Sequence, residues 1–359
     1  MPPKSMVESP RPFDKWEVRT LSMDQVSPEL LARAEQGDGE AQIALGRQCD
    51  AAGQVALARG WFARAAKGGH RDGLRELATN LLIRMPIVER DGLGMMQAAA
   101  RDGDALAAYY WGLLTANAQF AERWQIGIAC LGDAAERGLA VAREELQLLA
   151  PKGVSSFAAT AFTSRLPLEF ICQEPRIAII RGCLRSDLCD WLIHTNRDKG
   201  ARAPVHDPAS GQHRIEYARS NSHVICDLSN TSMVVTLLRE RILASISPAA
   251  RPELTTLLHY RPGEEFLPHY DFFDLSNPGS AREVAQKGQR SVTCLVYLNE
   301  DYQGGETEFL KIGLRHRGRQ GDALVFWNLL ADGRPDPLTY HAGRPTIWGE
   351  KWVVSQWLR

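Results

Sequence analysis

Leu257-Leu258-His259-Tyr260-Arg261-Pro262-Gly263-Glu264-Glu265-Phe266-Leu267-Pro268-His269-Tyr270-Asp271 is the stretch on which the reading of this chain turns. His269 and Asp271 stand two residues apart. On an extended strand, residues i and i+2 share a face, so the imidazole and the carboxylate converge on one point while Tyr270 faces away. That supplies two donors of a three-donor metal site, and the third should be a histidine from a distant strand. His341 lies 72 residues further on, just ahead of a Gly343-Arg344-Pro345 turn. His206, His213 and His223 fall in the same region, so spacing alone leaves the third donor open. His259 alternates with Tyr260 and is expected to pack elsewhere.

Two imidazoles and one carboxylate on one face of an octahedral ion leave three positions open, the pattern of a non-haem Fe(II) centre. A bidentate 2-oxo acid can take two of them and dioxygen the third. A lone His-x-Asp is common by chance, and the cation nearby adds weight. Lys351 lies ten residues after His341, inside the apolar, strand-like segment Gly349-Glu350-Lys351-Trp352-Val353-Val354-Ser355-Gln356-Trp357. A buried lysine needs an anionic partner. The distal carboxylate of 2-oxoglutarate is such a partner, and Tyr260 can add a hydroxyl to it. The alternative is a Lys351 exposed on its strand.

Outward from these residues, short apolar runs separated by turn residues recur: 176–182, 222–228, 254–260, 291–298, 321–327 and 351–358. Two helical patches, near 186–198 and 229–246, intervene. Several short strands in sequence predict a sandwich or jelly roll. The first part of the chain is different. Residues 1–24 are polar and Pro-rich and read as a tail, and 25–150 are rich in Ala, Leu, Arg, Glu and Gly. An Ala-x-x-Gly tetrad recurs there as Ala34–Gly37, Ala66–Gly69, Ala100–Gly103 and Ala135–Gly138, with glycine spacings of 32, 34 and 35. Four residues after each glycine comes a small residue (Ala41, Gly73, Ala107, Ala142), and eight after comes a large apolar one (Leu45, Leu77, Trp111, Leu146). Such pairs share a helix face, and the glycine suits a helix C-cap. The period is that of a helical-hairpin solenoid, with an ordinary helical bundle as the alternative. Residues 151–168 read as a linker. The expected architecture is therefore α+β in two domains, with the second over 169–359.

The chain has 359 residues, 42 Lys plus Arg against 43 Asp plus Glu, and a net charge of −1. That balance gives no electrostatic case for nucleic acid or an anionic membrane as the main partner. Seven scattered cysteines without CxxC spacing argue against a disulfide framework and a zinc-thiolate site. With no signal-peptide pattern and no long apolar run, a cytoplasmic location is expected.

Further ordered motifs accompany the metal-ligand segment: Tyr260-x-Pro262-Gly263 ahead of His269-x-Asp271, Gly288-Gln289-Arg290-Ser291-Val292-Thr293, Tyr297-Leu298-Asn299, Gly304-Gly305-Glu306-Thr307, Gly321-Asp322-Ala323-Leu324-Val325-Phe326, and His341 through Pro345 to Gly349-Glu350-Lys351-Trp352 and Trp357. Over roughly 176–359 this sequence resembles the prolyl 4-hydroxylase family of 2-oxoglutarate dioxygenases. The N-terminal segments resemble Sel-one-like, tetratricopeptide-type repeats. The first resemblance implies a double-stranded β-helix, cupin-like with flanking helices, holding Fe(II) at His269, Asp271 and His341. It also implies 2-oxoglutarate at Lys351, aided by Tyr260 and Thr293, turnover with O2, support by ascorbate, and conversion of 2-oxoglutarate to succinate with C–H hydroxylation. It places Arg290 as a hydrogen-bond donor and Trp357 as an apolar wall beside the target residue, both of which have structural alternatives within the sheet. Family members that take peptidyl proline usually carry Tyr where Phe266 stands, and many carry His where this chain has Arg359.

The expected function is hydroxylation of a prolyl or other residue in a protein or peptide recruited by the helical repeats. A small substrate such as a free amino acid or carrier-bound metabolite is the alternative. A non-catalytic scaffold is opposed by the complete His, Asp, His and Lys set. A cupin-like enzyme without 2-oxoglutarate is opposed by Lys351 and Tyr260. Residues 202–222, long and polar, look like the family's substrate loop, with a plain insert as the rival reading.

Overall fold

The computed structural model describes residues 27–84, 89–118, 120–203, 205–206, 213–214 and 219–359. The expected tail at 1–24 and most of the expected loop at 202–222 lie outside the described residues. Eight helices occupy the described part of the first 150 residues: α1 (Pro28–Glu35), α2 (Gly39–Ala51), α3 (Val55–Lys67), α4 (Gly73–Arg84), α5 (Glu89–Arg101), α6 (Ala105–Ala116), α7 (Arg123–Glu136) and α8 (Ala140–Leu149). Their ends follow from local chemistry. Asp38 caps α2 by accepting from the Ala41 amide, and Asp104 caps α6 by accepting from the Ala107 amide. Each tetrad glycine ends a helix in the left-handed region, with φ of 92° at Gly37, 75° at Gly69, 95° at Gly103 and 96° at Gly138. The small residues are contact points, as the periodicity requires. Ala41, Ala107 and Ala142 are buried, and a Cβ at Gly73 would lie 2.4 Å from the Ala66 backbone nitrogen.

The described residues up to Trp111, with Glu136–Leu139, form one compact unit, and Gly112–Ala135 with Ala140–Arg359 form another. The main division therefore falls within α6, between Trp111 and Gly112, earlier than the boundary at 150 expected from composition, and Glu136–Leu139 group with the first unit. Polar contacts tie α7 and α8 to the second unit. Arg123 pairs with Glu240 at 2.6 Å, and the wholly buried Glu145 accepts from the Val234 amide at 2.7 Å. The segment 151–168 is likewise packed rather than a free linker. It forms a 3-10 turn (Val154–Ser156) and α9 (Thr160–Thr163), buries Phe162, and gives its Ala161 carbonyl to Arg241.

The rest of the second unit is built on strands. β1 (Glu169–Cys172), β2 (Ile177–Ile180), α10 (Ser186–Asn196), β3 (Ala201–Arg202), β4 (Val205–His206), β5 (His213–Arg214), β6 (Ser222–Ile225) and α11 (Met233–Ile246) come first. β7 (Thr256–Tyr260), β8 (Phe266–His269), α12 (Pro278–Lys287), β9 (Val292–Tyr297), β10 (Gln303–Gly304) and β11 (Thr307–Phe309) follow. β12 (Leu314–His316), β13 (Ala323–Trp327), β14 (His341–Gly343), β15 (Thr346–Trp348) and β16 (Lys351–Leu358) complete the chain. A major antiparallel sheet runs β1-β2-β13-β9-β16-β7-β6-β3, and a minor one runs β12-β11-β14-β8. Ile177, Leu258, Tyr297, Phe326 and Val353 of the major sheet pack with Phe309 of the minor sheet in one core. This is the expected jelly roll, and all six apolar runs are strands. Helix α12 was not expected: its residues are mostly small or polar, and only Gly279 and Ser280 of it are buried. Among the described residues no helix is long and apolar enough to cross a membrane.

Candidate active site

Strands β8 and β14 are antiparallel neighbours in the minor sheet, and their register sets His341 directly opposite His269. The two rings lie 4.4 Å apart, centroid to centroid. Asp271, just beyond the end of β8, places Oδ1 3.6 Å from His269 Nε2 and Oδ2 3.7 Å from His341 Nε2. One ligand atom from each residue fits within 4.8 Å of the others. The opposite ring nitrogens are held by backbone. His269 Nδ1 meets the Leu267 carbonyl at 2.7 Å, and His341 Nδ1 meets the Thr339 carbonyl at 2.9 Å. A carbonyl only accepts, so each Nδ1 carries a proton and Nε2 is the ring nitrogen that faces Asp271. Burial disfavours ionisation of Asp271, but the two imidazoles and the Thr293 hydroxyl outweigh it and hold the carboxyl well below the usual range. Burial, together with His269, pushes His341 down to about 4 against the opposing pull of Asp271. Two imidazoles and one carboxylate are the donor set that Fe(II) takes in a facial triad.

Two of the other candidate histidines, His259 and His223, are engaged elsewhere. His259 stacks on Trp352 at 4.0 Å and lies 3.2 Å from Glu350. His223 meets the Ala201 carbonyl at 3.1 Å. The backbones of His206 and His213 pair across β4 and β5, and their side chains lie outside the described residues.

The major sheet supplies the opposite wall. In β16, Lys351 is paired with Tyr260 of β7, and Trp357 with Thr293 of β9. Lys351, Val353, Ser355 and Trp357 alternate onto one face and line the same pocket as the triad. Lys351 is 4% exposed, and its Nζ donates to the Gly305 carbonyl at 2.6 Å. Burial pulls its pKa down to about 8, partly offset by Glu306. Among the described residues no carboxylate pairs with this ammonium, which leaves a buried cation suited to the distal carboxylate of 2-oxoglutarate. Tyr260 lines the pocket beside it, and burial pushes its hydroxyl pKa up.

Thr293 departs from expectation. Its hydroxyl donates to Asp271 Oδ2 at 2.7 Å and is directed at the metal carboxylate rather than at Lys351. Arg290 follows the structural alternative for its guanidinium: it donates to both carboxylate oxygens of Glu253, at 2.7 and 2.8 Å, while stacking 3.8 Å above Trp357. Trp357 does face the pocket as a wall. Arg359 is held by Glu253 and Glu283. Arg219, which lines the pocket, and Asn328, which lies behind it, escaped the sequence reading. Arg219 lies 4.6 Å above the Phe266 ring, which in turn stacks on His269 at 3.6 Å. Arg219 sits in the polar stretch 202–222, where a buried arginine leaves no periodic signal. Asn328, just past β13, donates to Thr293 at 3.0 Å, and no motif marks it.

Residues 255–359 match the 2OG-Fe(II) oxygenase superfamily. The C-terminal domain belongs to this superfamily. The chain is accordingly a 2-oxoglutarate-dependent dioxygenase, a class that uses Fe(II), 2-oxoglutarate and O2. The dioxygenase is 29% identical over 210 residues to probable prolyl 4-hydroxylase 3 of Arabidopsis thaliana, spanning 53% of this chain and 71% of that protein. It is 29% identical over 206 residues to prolyl 4-hydroxylase 1 of the same plant, with the same coverage of 53% and 71%. Among solved structures, it is similar to the viral collagen prolyl hydroxylase of Paramecium bursaria Chlorella virus-1 in complex with 2OG. That pair shares 26% identity with a TM-score of 0.41, over 53% of this chain and 98% of the other.

Proposed function

We propose that this dioxygenase hydroxylates a prolyl residue of a protein or peptide, converting 2-oxoglutarate to succinate, with ascorbate sustaining turnover. The observation that carries the proposal is the cross-strand pairing of His269 with His341 around Asp271, facing across one pocket a buried Lys351 with which no carboxylate among the described residues pairs. His269, Asp271 and His341 would hold Fe(II), and Lys351 and Tyr260 the distal carboxylate of 2-oxoglutarate. When bound, the iron and its cosubstrate supply the oxidising power for C–H hydroxylation. The chain's own part is to hold, orient and keep water out. Leu258, Leu295 and Val353 form an apolar lining between the metal donors and Lys351. Trp357, with Arg290 flat against it, forms the wall for the target residue, and the Arg290 Nε and Nη2 are directed at Glu253. The Arabidopsis relatives named as prolyl 4-hydroxylases support a prolyl target. The helical N-terminal unit is proposed to follow Sel-one-like repeats and to recruit the protein substrate, and the seven cysteines suit a reducing, cytoplasmic setting.

A second reading, a small-molecule substrate, is favoured by one observation: the ring at position 266 lacks the tyrosine hydroxyl, and the Arg290 donors face Glu253. Anaerobic loading with Fe(II) and 2-oxoglutarate, followed by oxygen in the presence of proline-containing peptides or free amino acids, separates the two. Succinate together with one added oxygen on a peptide proline supports the first. Succinate coupled only to a small molecule supports the second, and no coupled succinate with either sinks both.

A further inference from the structure

The side chain of Asn328 is wholly buried. Its backbone is fixed on both sides, the amide donating to the Ser291 carbonyl at 2.8 Å and the carbonyl accepting from the Asp336 amide at 2.9 Å. From this anchored position Nδ2 donates to Thr293 Oγ1 at 3.0 Å, and Thr293 donates to Asp271 Oδ2 at 2.7 Å. The direction of this chain is set by chemistry. An ionised carboxylate only accepts, and a hydroxyl has one proton to give. Thr293 must give its proton to Asp271, so the group behind Thr293 must be a donor. The amide end of Asn328 meets that need, at the expense of its Oδ1, which is buried without a partner among the described residues. Position alone does not distinguish the two oxygens of Asp271, which lie 3.6 and 3.7 Å from their respective histidine nitrogens. The hydrogen bond does, because it occupies one oxygen and leaves the other free.

We infer that Asn328 is a positioning residue for the metal centre: through Thr293 it ties up Asp271 Oδ2 and leaves Oδ1 as the single oxygen offered to the metal. The inference rests on the triad being an Fe(II) site. A carboxylate binding through one oxygen keeps three positions open on an octahedral ion, whereas binding through both would close one of them. An acceptor in place of the Asn328 amide would draw the Thr293 proton away and free both oxygens.

The test uses the full chain stripped of metal and titrated with Co(II), reading affinity and the visible absorption, whose intensity follows coordination number. Asn328→Asp puts an acceptor in nearly the same volume, and Asn328→Leu removes the donor. Thr293→Val removes the hydroxyl, and Thr293→Ser restores it. Losses of about 10- to 100-fold in Co(II) affinity with an altered spectrum are expected for Asn328→Asp and Thr293→Val, smaller ones for Asn328→Leu, and near-native behaviour for Thr293→Ser. Wild-type affinity and spectrum in Asn328→Asp would overturn the inference. If that variant does not fold, the same result in Asn328→Leu does so. Co(II) binding needs no turnover, so the two readings fail separately. A native chain that yields no coupled succinate while Asn328→Asp still weakens Co(II) loses the proposed function and keeps the positioning role. A native chain that turns over while Asn328→Asp binds Co(II) normally does the reverse.

Discussion

At Lys351 the charge of one side chain decides how the cosubstrate is held. A hydrogen bond to a charged group contributes about 1.5–3 kcal/mol, so Lys351→Ala should raise the 2-oxoglutarate requirement roughly 10- to 150-fold. The turnover number at saturation should change far less, because the lost contact serves ground-state binding. Steady-state kinetics over a wide 2-oxoglutarate range checks the split, and a collapse of turnover with an unchanged requirement would refute it. The pH dependence follows from the depressed pKa. In the folded chain the ammonium persists below about 8, whereas in the unfolded chain it persists to the ordinary lysine value. Between those values the unfolded chain holds the extra proton, so this residue makes stability rise with pH there, while 2-oxoglutarate affinity falls. Calorimetric titration from pH 7 to 9.5 should show affinity flat below about pH 8 and falling toward tenfold per pH unit above it. Lys351→Arg should abolish that fall. His341→Ala or Asp271→Ala should abolish metal uptake itself, read directly by Co(II) binding. Much of this site was legible in the chain. His269 and Asp271 disclose themselves by a spacing of two, and Lys351 by its place in an apolar strand. Thr293 and Asn328 do not, since what they do depends on which neighbour takes a proton, and spacing carries no record of that.

At the scale of elements, helix ends and helix contacts were readable because both are local. The glycine of each tetrad takes a backbone conformation that a side chain resists, and Gly103, with φ of 95° and open space around it, isolates that effect. Gly103→Ala should cost about 1–2 kcal/mol through backbone strain alone. Gly73→Ala probes something else. Its added methyl would meet backbone atoms of Ala65 and Ala66 within 2.7 Å, so the two helices must part, at a cost of about 1–3 kcal/mol or more. Denaturant midpoints at unchanged slope measure both, and equal stability of Gly73→Ala and the native chain would contradict the close approach of α3 and α4. The six apolar runs were equally plain as strands, being short β-branched or aromatic stretches bounded by turns, whereas β3, β8, β10 and β14 carry no such run. Helix α12 also went unmarked, because its residues are mostly small or polar.

For the molecule as a whole, composition misplaced the division between units because α7 and α8 repeat the small-residue pattern of the helices before them yet spend their polar side chains on the oxygenase. The buried Glu145, which accepts from the start of α11, is the decisive contact. A fragment of residues 104–359 keeps it, whereas one of residues 151–359 leaves the Val234 amide unsatisfied, at a cost of about 1–3 kcal/mol before any loss of packing. Thermal unfolding should therefore give a clearly lower midpoint for the shorter fragment, and matching midpoints would reassign α7 and α8 to the repeats. The pairing of His269 with His341 has a consequence on this scale too. Their separation is fixed by the ladder between two neighbouring strands and not by the chain that joins them. Loops and α12 between them can grow or shrink without disturbing the iron-binding geometry. A one-residue slip of β14 would instead turn Tyr340 or Ala342 toward the metal and silence the enzyme with its fold intact.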